Sequence, residues 1–384
     1  MMFIRNFSRV LTGLVFIFSG FVKGVDPWGT AYKFEDYFIA MNFEWAVSFA
    51  LSLSFLLIIT EFLLGWMLLF NIKTGLASWL ALLFMLAFTP LTLWLAVSNK
   101  VSDCGCFGDF LVMDNWQTFF KNMIILVFVL ITFAMRKKFD NKMSPFTKII
   151  IFLFGAVVIL YFMVQGFRHL PIFDFRPYKE GNKIAVSVKN DNNSETVYLR
   201  YLHLVTGDTL LYTTKTLPHQ DTVLFNQLKF IEQVKEEQAM TEPDVFQENH
   251  LYLTNRDGDD VTAEILGNPD FQFILIINDL DKAKKVYYSV LAELSEACDK
   301  HNIDFCAAIG SSWEDIDVFS AEIGVDFDIY AADPTELKTV VRANPGLALL
   351  KHGYIMKKWH YRDIPVLEEI YLSGHFKAFA SLEE

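Results

Sequence analysis

The chain has 384 residues, of which 53% are hydrophobic, with four cysteines and a formal net charge of −12. Its length leaves room for two or three domains. The acidic balance, with no stripe of Lys and Arg, excludes nucleic acid as a partner, because phosphate binding needs clustered cations. The mean hydropathy of +0.30 averages two unlike parts: a first part of mostly Leu, Phe, Ile, Val and Ala, and a second that carries most of the acid. There is no internal repeat, glycine-rich phosphate loop or Ser–His–Asp signature.

Crossing a bilayer as a helix takes about 20 apolar residues. Five stretches qualify: Phe7–Gly24, Trp45–Phe70, Thr74–Val97, Trp116–Met135 and Phe146–Phe167. The first is read as a span rather than a signal peptide, since further spans follow at once. The third contains Pro90, a candidate kink. Short basic loops face the cytoplasm. The segment "MRKKFDNKMSPFTK" between spans four and five therefore sets the orientation, and Arg5, Arg9 and Lys73 agree with it. Five spans then put the C-terminal half outside, together with the loop "SDCGCFGDF" between spans three and four. The expected location is the inner (cytoplasmic) membrane, with the bilayer as one partner and an exported protein or peptide as another.

Glu61 lies inside the second span. A carboxyl in hydrocarbon is costly and turns to the bundle interior. With no cation evident at matching depth, it reads as a neutral acid bonded to a neighbouring helix through Thr12, Ser78 or Thr132; a proton relay is the alternative. Lys23, Lys33, Glu35 and Asp36 read as solvated or interfacial pairs around the first loop.

Cys104 and Cys106 flank a single glycine. Joining their sulfurs needs a curled backbone, which Gly105 permits. So small a ring should be strained and readily reduced, and it closes too short a loop to staple the fold. Three readings stand side by side: a redox-active or redox-sensing pair, a structural turn with a permanent disulfide, and a metal site. The last is poorly served, since zinc wants four ligands and the loop has no His.

The apolar spans with "DCGCFG" after the third resemble the DoxX/MauE membrane proteins, as does "FSGFVKGVDPWGTAYKFEDYF" from Phe18 to Phe38. The resemblance covers about the first third of the chain. It implies a four-helix membrane bundle over residues 1–140, here followed by a fifth helix over 141–170. It also implies a link to the maturation of disulfide-rich exported proteins. No cofactor is predicted; a quinone acceptor is compatible with the resemblance, but no residue supports one.

"FRHLPIFDFRPYKEG" (Phe167–Gly181) reads as a linker leading into a small β-rich region, 171–240. His203 and His219 fall there and read as ordinary residues. In 241–384, "LYLTNRDGDDVTAEIL" suggests two short strands around an Asp-Gly turn. Apolar strands ("FQFILIIN", "IDFCAAIG", "FDIYAAD") then alternate with helical periodicity. A hairpin about Gly353 and a closing helix, "PVLEEIYLSG", follow. This order resembles a thioredoxin-like α/β domain of the TlpA type. That fold places a CxxC where this chain has "NDLDKAKK", so dithiol chemistry is not expected in the domain. Pro345 stands where the family has its cis-proline, which makes Asn344 and Pro345 candidate partner-binding residues. Cys298 and Cys306 read as small buried hydrophobes.

The fold class expected is thus a multi-domain membrane protein: an α-helical bundle, a fifth span, a β-rich region and a thioredoxin-like domain. The leading function is thiol–disulfide handling, or maturation and assembly of exported partners, through Cys104 and Cys106. The rivals are a non-redox membrane scaffold with a structural turn and a peptide-binding outer domain, and a small-molecule transporter.

Overall fold

The computed structural model describes residues 2–101, 103–139, 143–184, 251–323 and 327–365 in full, and 197–203, 209–213 and 228–235 as backbone strands. Two compact units emerge, Met1–Ile184 with Leu251–Glu384, and Ala185–His250.

Helix α1 (Met2–Val25) is followed by α2 (Pro27–Ala40), α3 (Ala50–Leu69), α4 (Thr74–Ser98), α5 (Asn115–Ala134) and α6 (Pro145–Arg168). All but α2 belong to segments long and apolar enough to cross a membrane, α3 being lengthened by a 3-10 turn over Glu44–Phe49. Leu83, Ile124 and Val157 are among the many large apolar side chains left exposed on the bundle. That is the surface a bilayer accepts and water does not. Helix α4 runs on through Pro90.

Helices α1 and α3 meet through small residues. A Cβ on Gly20 would lie 2.7 Å from the Phe62 nitrogen, and one on Gly65 would lie 2.6 Å from the Gly13 carbonyl oxygen. In lipid, such close backbone approach replaces hydrophobic burial as the source of helix association. At one end of the bundle, Arg5 donates to the Lys138 carbonyl (2.7 Å) and Arg9 to that of Leu69 (2.8 Å). The other end carries α2 and the loop from Asn99 to Asp114.

Helix α2 stands where the charged and aromatic pattern suggests only a loop between the first two spans. Its start is well specified: Asp26 accepts from the Gly29 N–H and Pro27 fills the first position, where a missing N–H costs nothing.

In the second unit, β1 (Val197–His203), β2 (Thr209–Thr213) and β3 (Leu228–Lys235) form an antiparallel sheet in the order β2-β1-β3. His219 lies outside the described residues.

The C-terminal part of the first unit opens with an isolated bridge between Thr254 and Asp260 and the short helix α7 (Thr262–Leu266). Neither of the two strands expected here forms: the first contributes only the bridge residue Thr254, and the second becomes a helical turn. Just before it, Asp260 accepts from the Thr262 N–H at 3.0 Å, and the Thr262 hydroxyl accepts from the Leu253 N–H at 2.8 Å.

Strands β4 (Gln272–Ile277), β5 (Asp304–Ile309), β6 (Asp328–Ala331), β7 (Gly346–Lys351) and β8 (Tyr354–His360) make one sheet in the order β6-β5-β4-β7-β8. Strands β4, β5 and β6 run parallel; β7 is antiparallel to β4 and β8 to β7. Helices α8 (Tyr288–Lys300), α9 (Trp313–Ile323) and α10 (Pro334–Val340) make the connections. The core joins Phe273, Leu275 and Ile277 to Leu291, Leu294 and Phe319. β4 is buried along its whole length, which explains its continuous apolar run. The closing helix expected at "PVLEEIYLSG" falls largely in residues beyond 365, outside the described part.

The presumed linker is docked rather than free. Arg176 is buried and pairs with Asp174 at 2.7 Å. Lys358 of β8 reaches the same carboxylate at 2.6 Å.

Candidate functional site

The loop joining α4 to α5 is held by its own side chains. Asn115 donates to the Val101 carbonyl at 2.8 Å, and Gly105 donates to Asp103 at 2.9 Å. Gly105 has φ +60° and Gly108 φ +51°, in the left-handed region that glycine enters at no steric cost. The curl brings the Sγ atoms of Cys104 and Cys106 to 2.8 Å, with both thiols free.

Three anchors fix this turn from neighbouring helices. From α2, Tyr37 donates its hydroxyl to the Cys104 carbonyl, and Lys33 pairs with Asp103 at 2.5 Å. From α1, Ser19 donates to the Cys106 carbonyl at 2.7 Å. Cys104 is buried in a cluster with Tyr37, Leu95 and Val101, against whose edge the partly exposed Cys106 packs. Burial raises the Tyr37 hydroxyl well above its ordinary value, and the neighbouring Cys104 adds to the effect. Tyr37 therefore acts as a neutral donor.

Glu61 has a different neighbour from those expected. Lys23 is buried and sits 2.7 Å from the Glu61 carboxylate, with side-chain exposures of 7% and 6%. The absence of a cation at matching depth was thus a misreading. Ser78 bonds within its own helix to Gly75 and Thr132 to Phe128, while Thr12 makes no bond to Glu61. Lys23 is not at the surface because its helix turns it inward, on the face that carries Ser19 and Gly20. The missed signal was that spacing: Gly20 precedes Lys23 by three residues and Glu61 precedes Gly65 by four. The glycines that bring α1 onto α3 also bring the charges together. Lys23 also donates to the Ser19 hydroxyl at 2.8 Å. The Glu61 carboxylate is thereby linked, through Lys23 and Ser19, to the backbone of Cys106.

A cavity of about 60 Å³ lies beneath the loop, lined by Lys23, Glu61, Cys104, Cys106, Phe34 and Phe88. That is room for a few water molecules. Above the loop, a second cavity of about 170 Å³ is bounded by Gly105, Asp26, Asp109, Lys338 and Arg342.

Arg342 follows α10 and is buried. Its guanidinium spans two carboxylates, Asp26 at 2.8 Å and Asp109 at 3.1 Å. Burial pushes the Asp26 carboxyl up, but Arg342, Arg176 and the Gly29 N–H outweigh it and hold the group below its usual value. For Asp109 burial prevails and raises it, against the pull of Arg342. Asp26 caps the helix that holds Cys104, and Asp109 sits three residues past Cys106, so one arginine touches both supports of the cysteine turn.

The other predicted residues lie elsewhere. Asn344 precedes Pro345 across a cis peptide bond. Its side chain donates to the Asp279 carbonyl at 2.6 Å and accepts from the Asn278 N–H at 3.2 Å, tying the turn before β7 to the end of β4. Cys298 is on α8 and Cys306 on β5, both buried. Burial first, then nearby aspartates, pushes each thiol up to about 12. At neutral pH they are inert.

No curated protein and no solved structure matches the chain. Residues 1–135, which span α1 to α5 and include the cysteine turn, match the family model of the methylamine utilisation protein MauE. The N-terminal bundle is MauE-like, and the protein is a multi-pass integral membrane protein.

Proposed function

We propose that the protein handles thiols and disulfides of exported partners, using Cys104 and Cys106 as a redox pair that cycles between dithiol and disulfide. The observation that carries this reading is the approach of two free sulfurs to 2.8 Å, in a turn fixed from α1 and α2. Elsewhere among the described residues, cysteines are buried and high in pKa, which leaves this turn as the place for exchange.

The DoxX/MauE character of the bundle and the charge rule support placing the turn on the outer side of the inner membrane, where disulfides persist. The basic residues Arg5, Arg9 and Lys138 gather at the opposite end. The C-terminal sheet, with parallel β4–β6 and antiparallel β7 and β8, supports a thioredoxin-like assignment. In this domain the partly exposed Asn344, backed by the buried Pro345, serves as the partner contact, and the stretch directly after β4, residues 278–285, has no cysteine to do chemistry.

Mixed-disulfide capture tests the proposal. The full chain carrying Cys104→Ala or Cys106→Ala is expressed in its membrane and resolved on non-reducing gels. Capture of an exported protein by one variant, reversed by reductant, is expected. Capture by neither variant would leave the turn structural.

A further inference from the structure

We propose that the two cysteines have fixed roles: Cys106 attacks, Cys104 resolves, and Lys23, held by Glu61, is the positioning residue that makes the difference. The assignment rests on the redox reading above and adds an order and a cause to it.

Geometry separates the two sulfurs first. Cys104 is 7% exposed and faces Tyr37 and Leu95. Cys106 is more open, although both sulfurs belong to residues lining the cavity that Lys23 shares. An incoming disulfide meets Cys106 before Cys104.

Charge separates them again. The groups around the turn come from every packed element: Lys23 from α1, Lys33 and Tyr37 from α2, Glu61 from α3, Lys121 from α5, and Asp103 and Asp109 from the loop itself. Lys33 is matched by Asp103 and Asp109 by Arg342. The hydrogen bond shared by the two sulfurs at 2.8 Å lowers the Cys106 thiol. Burial opposes this, Lys121 and Lys23 reinforce it, and Glu61 subtracts. The same hydrogen bond raises Cys104, as does burial. The thiolate, the reactive form, belongs on Cys106.

Lys23 contributes more than charge. Through Ser19 it fixes the Cys106 carbonyl, at successive contacts of 2.8 and 2.7 Å. The Glu61 carboxylate, 2.7 Å from the Lys23 ammonium, holds it aimed at Ser19.

The reaction is balanced as follows. The Cys106 thiolate attacks one sulfur of a partner disulfide, whose S–S bond breaks and releases a partner thiolate. Cys104 gives its proton to that thiolate and attacks the Cys106 sulfur of the mixed disulfide. The 104–106 bond forms, and the second partner thiolate leaves and takes a proton from water. The pair is oxidised and the partner is reduced by the same two electrons. The reverse sequence oxidises a partner dithiol.

The test is site-resolved alkylation by iodoacetamide of the reduced full chain in detergent, followed across pH. Cys106 should react at least about tenfold faster than Cys104, with a midpoint below that of an ordinary thiol. In Lys23→Met/Glu61→Gln, which removes both charges together, the Cys106 midpoint should rise and its neutral-pH rate fall roughly tenfold. Lys23→Arg should keep the wild-type profile. Faster alkylation of Cys104, or an unmoved midpoint in a folded double variant, overturns the assignment. The wild-type order decides the roles even if the double variant does not fold. Partner capture separates the two claims. Capture by Cys104→Ala alone supports the roles; capture by Cys106→Ala alone reverses them while leaving the redox reading intact. Capture by neither removes both.

Discussion

The four cysteines sit in two contrasting settings. Cys298 and Cys306 are packed into the C-terminal domain, on a helix and on a central strand, where burial keeps the thiol protonated. Cys104 and Cys106 are also largely enclosed, but in a glycine-curled turn with a lysine beneath it and a second from α5 beside it. Burial alone does not decide whether a cysteine is reactive. What differs is whether charges and hydrogen bonds from neighbouring elements offset the desolvation of the thiolate.

The comparison breaks most readily at the charge pair. Replacing Glu61 by Leu leaves Lys23 buried without its counter-charge. It should cost about 3–5 kcal/mol of stability, as single-partner removal does in buried pairs, read as loss of folded protein in detergent. Glu61→Gln should cost less, because an amide oxygen can still accept from Lys23. Glu61→Lys should be worse than either, since it places two cations together. Equal stability of all three would show that the pair is not held as described.

The next largest effect belongs to Arg342. Arg342→Ala strands Asp26 and Asp109 and should destabilise the docked C-terminal domain by about 3 kcal/mol. The pH dependence has a definite sign. The Asp26 carboxyl is lower in the folded state than unfolded. Its contribution is therefore present above the unfolded carboxylate value and lost as pH falls through the folded one. Thermal unfolding from pH 7 to pH 3 should show this acid loss in the wild type and a smaller one in Arg342→Ala.

Gly105→Ala tests the turn itself. At φ +60° a side chain costs about 1–2 kcal/mol, and the added Cβ would lie 2.9 Å from the Lys33 Cγ. The sulfurs should separate and exchange should slow while the bundle stays folded. The smallest effect is expected from Cys298→Ala and Cys306→Ala. Each should cost about 1 kcal/mol and leave partner capture by the membrane turn unchanged.

The spans were legible because a bilayer demands about 20 apolar residues in a row, a signal no tertiary contact can override. The strands from Phe271 onward were legible for a similar reason: a strand buried on both faces must be apolar throughout. The cysteine turn announced itself through Gly105. Helix α2 did not, because its charges and aromatics mask the apolar period, although Asp26 and Pro27 marked its start. The Lys23–Glu61 pair was missed because the two residues are 38 positions apart and meet only when Gly13, Gly20 and Gly65 let two helices touch. The Arg342 contact was invisible for the same reason over a longer separation: it depends on where a whole domain docks.

The central claim is that the membrane turn, and not the C-terminal domain, exchanges disulfides. It is tested most directly by equilibrating the purified full chain with graded glutathione redox buffers, trapping with acid and mapping each cysteine by mass. The account predicts reversible conversion of Cys104 and Cys106 between dithiol and a mutual disulfide, with Cys298 and Cys306 reduced throughout. A turn that stays in one state across all buffers, or a disulfide that forms at Cys298 or Cys306 instead, would contradict it.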